Sequence, residues 1–147
     1  MLKGIPTLIS PDLMKTLMEM GHGDEIVIVN ANFPAASNAR KLLRCDGSTA
    51  VQVLDAILRF LPLDTFVKNP ATLMDVASGE KEPPPIWSEF QAVIKQYEPS
   101  VQEYETVNRN VFYERARQAY AIVTTGERRR YANIILKKGI IEPDVLV

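Results

Sequence analysis

Histidine, cysteine and tryptophan each occur once in this chain, and the scarcity closes several classes of function. Cys45 alone cannot form a disulfide within the chain, which suits a reducing compartment, and a cytoplasmic location is expected. One histidine and one cysteine cannot build a zinc site of the usual kind within one chain, and no acidic cluster suggests a magnesium site. An excess of positive charge is also missing. With 17 basic and 18 acidic side chains the net charge is −1, which argues against nucleic acid as the main partner. No apolar run approaches the roughly 18 residues of a membrane span, so no membrane partner is expected. The opening MLKGIPTLIS lacks the charged-then-apolar layout of a signal peptide. There is no phosphate-binding P-loop. GHGDEI is not a dinucleotide fingerprint either, because it follows a helical pattern and lacks the third glycine.

What is present describes one globular domain over residues 1–147, of ordinary domain size and long enough for a real core. Ser10 and Pro11 open a helix whose apolar face carries Leu13, Met14, Leu17 and Met18, and Gly21 offers it a left-handed stop. EIVIVN, residues 25–30, reads as a buried strand, and 41–45 as a further strand. Residues 49–61, 85–97 and 111–120 show helical periodicity; residues 71–77 and 104–109 read as strands. Residues 121–126 and 133–139 read as two strands joined by a turn, a candidate hairpin. SGEKEPPP, residues 78–85, reads as a surface loop, and Arg128, Arg129 and Arg130 as a solvated turn. The alternation predicts an α/β fold: a mixed, mostly parallel sheet flanked by helices.

The one histidine, His22, stands between two glycines where the first helix gives way to the first strand. Histidine is the side chain that gives and takes protons near neutrality, so the ring is either a proton-transfer group or a surface residue in a turn. Polar residues gather at other element ends. Asn30 and Asn32 follow the apolar strand, Arg109 ends ETVNR before a helix, and Tyr131 and Asn133 precede IILKK. Each reads as a cap or turn residue, or as part of a hydrogen-bonding set suited to a polyhydroxylated ligand. Trp87 lies on the apolar face of PIWSEF and is expected in the core.

Five segments together resemble one known family. LISPDLMKTLMEMGHGDEIVIVNANFPA (8–35), RCDG (44–47), LPLDTFV (61–67), FYERARQAYAIVTTGE (112–127) and RYANIILKKG (130–139) are similar to the L-fucose mutarotase and D-ribose pyranase family, over nearly the whole chain. FYERA, TGE and PLDT look more like the fucose branch. The resemblance implies a homo-oligomer, with rings that reach decamers in bacterial members. It implies cofactor-free interconversion of the anomers of L-fucose or a related aldose. It makes His22 the catalytic, proton-transferring residue, and Asn30, Asp64, Arg109, Tyr131 and Asn133 the sugar-binding ones. Asn30 departs from the family's acidic residue, so Asn30→Asp is expected to speed exchange. Two alternatives stand beside this reading: a non-catalytic sugar-binding or regulatory protein, and a D-ribose pyranase.

Overall fold

A computed structural model describes residues 1–147. Its elements run α1 (Pro11–Glu19), β1 (Glu25–Val29), α2 (Ala35–Asn38), β2 (Leu42–Cys45), α3 (Ala50–Leu58), β3 (Ala71–Met74), α4 (Pro85–Tyr97), β4 (Glu105–Val107), α5 (Arg109–Gln118), β5 (Ala121–Thr125) and β6 (Ile134–Lys137). The six strands form one sheet in the order β2-β5-β1-β6-β3-β4. β1 runs parallel to β5 and β5 to β2, while β6 lies antiparallel to both β1 and β3. β4 pairs parallel to β3. Five strands therefore share one direction and β6 opposes them.

The central strand shows why the sheet needs cover on both faces. EIVIV is apolar at four consecutive positions, and side chains alternate across a strand. Ile26 and Ile28 enter the larger core with Leu13, Leu17, Leu54, Ile57 and Phe90, from α1, α3 and α4. Val27 and Val29 enter the smaller core with Phe112 and Ala116, from α5. Each such side chain, fully buried, contributes about 1.5–3 kcal/mol. The helices begin where their caps allow. Ser10 Oγ accepts from Leu13 N at 3.1 Å. Thr49 and Gln52 form a reciprocal capping box, at 3.2 and 2.9 Å, that starts α3.

The mixed, mostly parallel sheet agrees with the sequence reading, and two local expectations are corrected. β5 and β6 are not a hairpin: β1 lies between them and pairs with both. Gly21 is not the left-handed residue; α1 closes through an extended Met20, and Gly23 takes the positive φ, at 86°. Arg128, Arg129 and Arg130 are exposed at a turn, as read, and Arg129 has fixed partners there as well. It is fastened to the buried Glu127 and to Glu89. Two strands are also shorter than read: β3 stops at Met74 and β4 at Val107, and Arg109 is the first residue of α5.

Candidate active site

The predicted site residues separate into two groups, one beyond each end of β1. Its five residues span roughly 16 Å at the usual rise of a strand. His22 precedes it and Asn30 follows it, so no single chain brings the two together.

At the leading end, the 21–24 turn holds His22. Gly21 N donates to Asp24 Oδ2 at 2.7 Å, and Gly23 N donates to Lys138 O at 2.8 Å. The imidazole is half exposed and leans on Phe66, with ring centroids 5.4 Å apart. Its Nε2 lies 3.2 Å from Oδ1 of Asp64, a buried carboxylate that also accepts from Phe66 N at 3.0 Å. Burial alone would raise the Asp64 carboxyl; the Phe66 N–H, the His22 ring and the charge of Lys137 outweigh it and hold the group below its usual range. An ionised Asp64 only accepts, so Nε2 carries its hydrogen toward it and Nδ1 is left to exchange a proton. This carboxylate–imidazole geometry fixes the ring's tautomer and direction.

At the trailing end a cavity of about 440 Å³ opens among Asn30, Asp75, Arg109, Tyr113, Tyr131 and Asn133, within the range of small-molecule sites. It lies beyond the carboxyl ends of β1, β3 and β4, where open α/β sheets place their ligands. β6 runs the other way, so its start brings Asn133 to the same edge. Asn133 is buried; its Oδ1 accepts from Asn30 N at 2.9 Å. The Asn30 carboxamide holds the backbone on two sides. Its Oδ1 accepts from Asn32 N at 3.2 Å and Phe33 N at 3.0 Å, and its Nδ2 donates to Arg129 O at 3.1 Å. Those partners also settle which end of the amide is oxygen, because two N–H groups can meet only an acceptor.

The turn that carries Tyr131 is braced from below. Arg129 Nε donates to Glu127 Oε1 at 3.0 Å and its Nη2 to Oε2 at 3.1 Å, a bidentate pair, while Nη1 pairs with Glu89. The Arg129 guanidinium, working against burial, holds Glu127 below the usual carboxylate range. Gly126 is needed because a Cβ there would lie 2.2 Å from Asp46 O. Tyr131 itself takes a positive φ of 59°, unusual outside glycine, and its hydroxyl accepts from Ala77 N at 3.1 Å. Trp87 is core, as its helical position predicts, and its indole N–H donates to Tyr131 O at 3.1 Å. Arg109 lies over the Tyr113 ring at 5.1 Å.

A model of the RbsD / FucU transport protein family matches residues 3–141. The chain belongs to this family. It is 42% identical over 146 residues to the fucose mutarotase of Homo sapiens, covering 95% of this chain and 94% of that one. It is 44% identical over 140 residues to the L-fucose mutarotase of Actinobacillus pleuropneumoniae serotype 5b, covering 95% and 97%. Among solved structures, the fucose mutarotase from Streptococcus pneumoniae in complex with L-fucose has a TM-score of 0.91 and 51% identity, covering 96% of this chain and 100% of that chain. RbsD of Bacillus subtilis complexed with D-ribose, at a TM-score of 0.70 and 21% identity, covers 97% of this chain and all of that one, and shares the fold.

Within this RbsD / FucU fold, the structure gathers Asn30, Arg109, Tyr131 and Asn133 around one cavity and sets His22 with Asp64 at the other sheet edge. Sequence reasoning missed Asp75, Tyr113 and Glu127. Asp75 was hidden inside an apparent strand, whereas β3 ends one residue before it. No helix is long and apolar enough to cross a membrane.

Proposed function

We propose that this chain is a cofactor-independent mutarotase that interconverts the α and β anomers of L-fucose, an isomerase of the cytoplasm. One observation carries the proposal: the polar cavity occurs in a chain 51% identical, over nearly its full length, to a fucose mutarotase solved with L-fucose. Mutarotation removes a proton from the anomeric hydroxyl and delivers one to the ring oxygen. The ring opens to the aldehyde, the carbonyl turns its other face, and the ring closes. His22 performs both transfers through Nδ1, and Asp64 orients it. Arg109 and Asn133 donate hydrogen bonds to the sugar, Tyr131 packs its ring on the C–H face, and Asn30 lines the floor.

The separation of the two ends of β1 supports a homo-oligomer in this reading. The His22 edge of one copy meets the cavity edge of another. Because those surfaces differ, the contact is head-to-tail and closes into a ring, in keeping with the decameric assembly that the family implies.

The test is NMR saturation transfer between the anomeric protons of L-fucose near neutral pH. Acceleration is expected in the native protein and its loss in His22→Ala. Mixing His22→Ala with Asn133→Ala and allowing subunits to exchange restores part of the rate if two copies build one site. Unchanged exchange in His22→Ala would sink the assignment. A faster rate on D-ribose than on L-fucose would transfer it to a pyranase.

A further inference from the structure

A sugar hydroxyl both gives and takes hydrogen bonds, so a sugar cavity needs acceptors as well as donors. Apart from the Asn32 carboxamide and the Tyr113 hydroxyl, which make no side-chain hydrogen bond within the chain, the neutral side-chain acceptors of this cavity are already engaged. Arg109 and Arg130 only donate. Both lone pairs of Asn30 Oδ1 are occupied by Asn32 N and Phe33 N, so position 30 offers the cavity at most one N–H. Asn133 Oδ1 already accepts from Asn30 N, and Asn108 Oδ1 from Val111 N. The Tyr131 hydroxyl is held between Ala77 N and Glu80.

Asp75 is the one carboxylate among the lining residues. Its Oδ1 accepts from Val76 N at 2.8 Å, which orients the group and leaves Oδ2 without a protein partner. Its backbone is pinned by Asp75 N donating to Val107 O at 2.8 Å, and the next turn is pinned by Ala77 N donating to the Tyr131 hydroxyl. Asp75 follows β3 as Asn30 follows β1, with β6 between them. Two strand spacings separate them, roughly 10 Å, a floor wide enough for a pyranose ring.

We infer that Asp75 is the specificity-determining acceptor of this cavity: its carboxylate takes hydrogen bonds from the sugar hydroxyls, and Asn30 positions the 129–131 turn instead. The inference rests on the mutarotase reading. A charge-assisted bond to a fixed carboxylate is stronger than a neutral one, so its loss weakens binding more than it slows proton transfer.

The experiment measures L-fucose affinity by titration and anomer exchange by saturation transfer for the native protein, Asp75→Asn and Asp75→Ala. Glu142→Gln is the matched loss of one exposed negative charge. Asp75→Asn keeps the acceptor for Val76 N, and its thermal midpoint reports whether it folds. The expected result is a KM raised roughly tenfold or more, with kcat changed less than about threefold. L-fucose analogues with one hydroxyl replaced by fluorine, which accepts but does not donate, supply the second readout. One analogue binds more weakly than fucose to the native protein and equally to Asp75→Ala. A native protein that is active while Asp75→Asn matches it in KM overturns the role of Asp75 alone, and so does an analogue penalty that ignores residue 75. A native protein that neither binds nor exchanges L-fucose overturns the mutarotase reading and this inference together.

Discussion

The two ends of β1 are built on opposite plans. The leading end is sparse: one half-exposed imidazole on a glycine turn, steered by a single buried carboxylate. The trailing end is dense: Asn30, Asn133, Glu127 and Arg129 tie the 30–33 turn and the 127–133 segment into one floor. A proton carrier needs access and one fixed direction, whereas a binding floor needs many groups held still. A rigid strand keeps the two ends apart within a chain, so the proposed reaction would need a second copy to bring them together.

That contrast breaks most sharply at His22. His22→Ala is expected to lower anomer exchange by about 10²–10⁴-fold, with an unchanged circular dichroism spectrum and sugar affinity close to native. Asp64→Asn comes next. It keeps the shape but frees the ring's tautomer, and single-turnover exchange is expected to fall roughly 10²-fold. At the dense end the damage goes to stability first. Gly126→Ala drives a methyl group into the Asp46 carbonyl and is expected to cost about 1–3 kcal/mol, read as a lower midpoint in urea unfolding. Asn30→Asp reverses the expectation drawn from the family's acidic residue. It replaces a donated hydrogen bond to Arg129 O with two facing oxygens, so thermal unfolding moves several degrees lower and exchange slows.

The smallest effect is in acid. Asp64 and Glu127 both titrate below their usual range in the folded chain. The stability that they contribute is complete above the ordinary carboxylate pKa, near ~4, and is lost as pH falls through their depressed values. Glu127→Gln is expected to flatten the fall in stability below about pH 4, measured by urea titration at a series of pH values.

Much of this architecture is readable from the chain because its strands are buried on both faces. A continuous apolar run such as EIVIV announces itself, and Ser10 and Thr49 mark helix starts by their chemistry. Pairing is not readable in the same way. Periodicity says that 121–125 and 134–137 are strands, but not that a strand near the start of the chain inserts between them. The three consecutive arginines look alike in sequence; only the neighbouring Glu127, buried by the fold, singles out Arg129. His22 and Asp64 lie 42 residues apart, and no local spacing links them; the family resemblance named both, and the fold supplied the hydrogen bond. Asp75 went unseen because a strand pattern continues through it, while the backbone turns away after Met74.

The placement of β1 has a consequence for how the chain is made. It is the first strand made, yet its partners come last: β5 and β6, which flank it, are the fifth and sixth of the six strands in chain order. Until they arrive, a strand with four fully buried aliphatic side chains has both its edges open, the state in which nascent chains stick to one another. Pairings across nearly the whole sequence also make folding slow. A truncation that removes β6 would therefore leave an edge of β1 open and adhesive instead of giving a smaller folded domain.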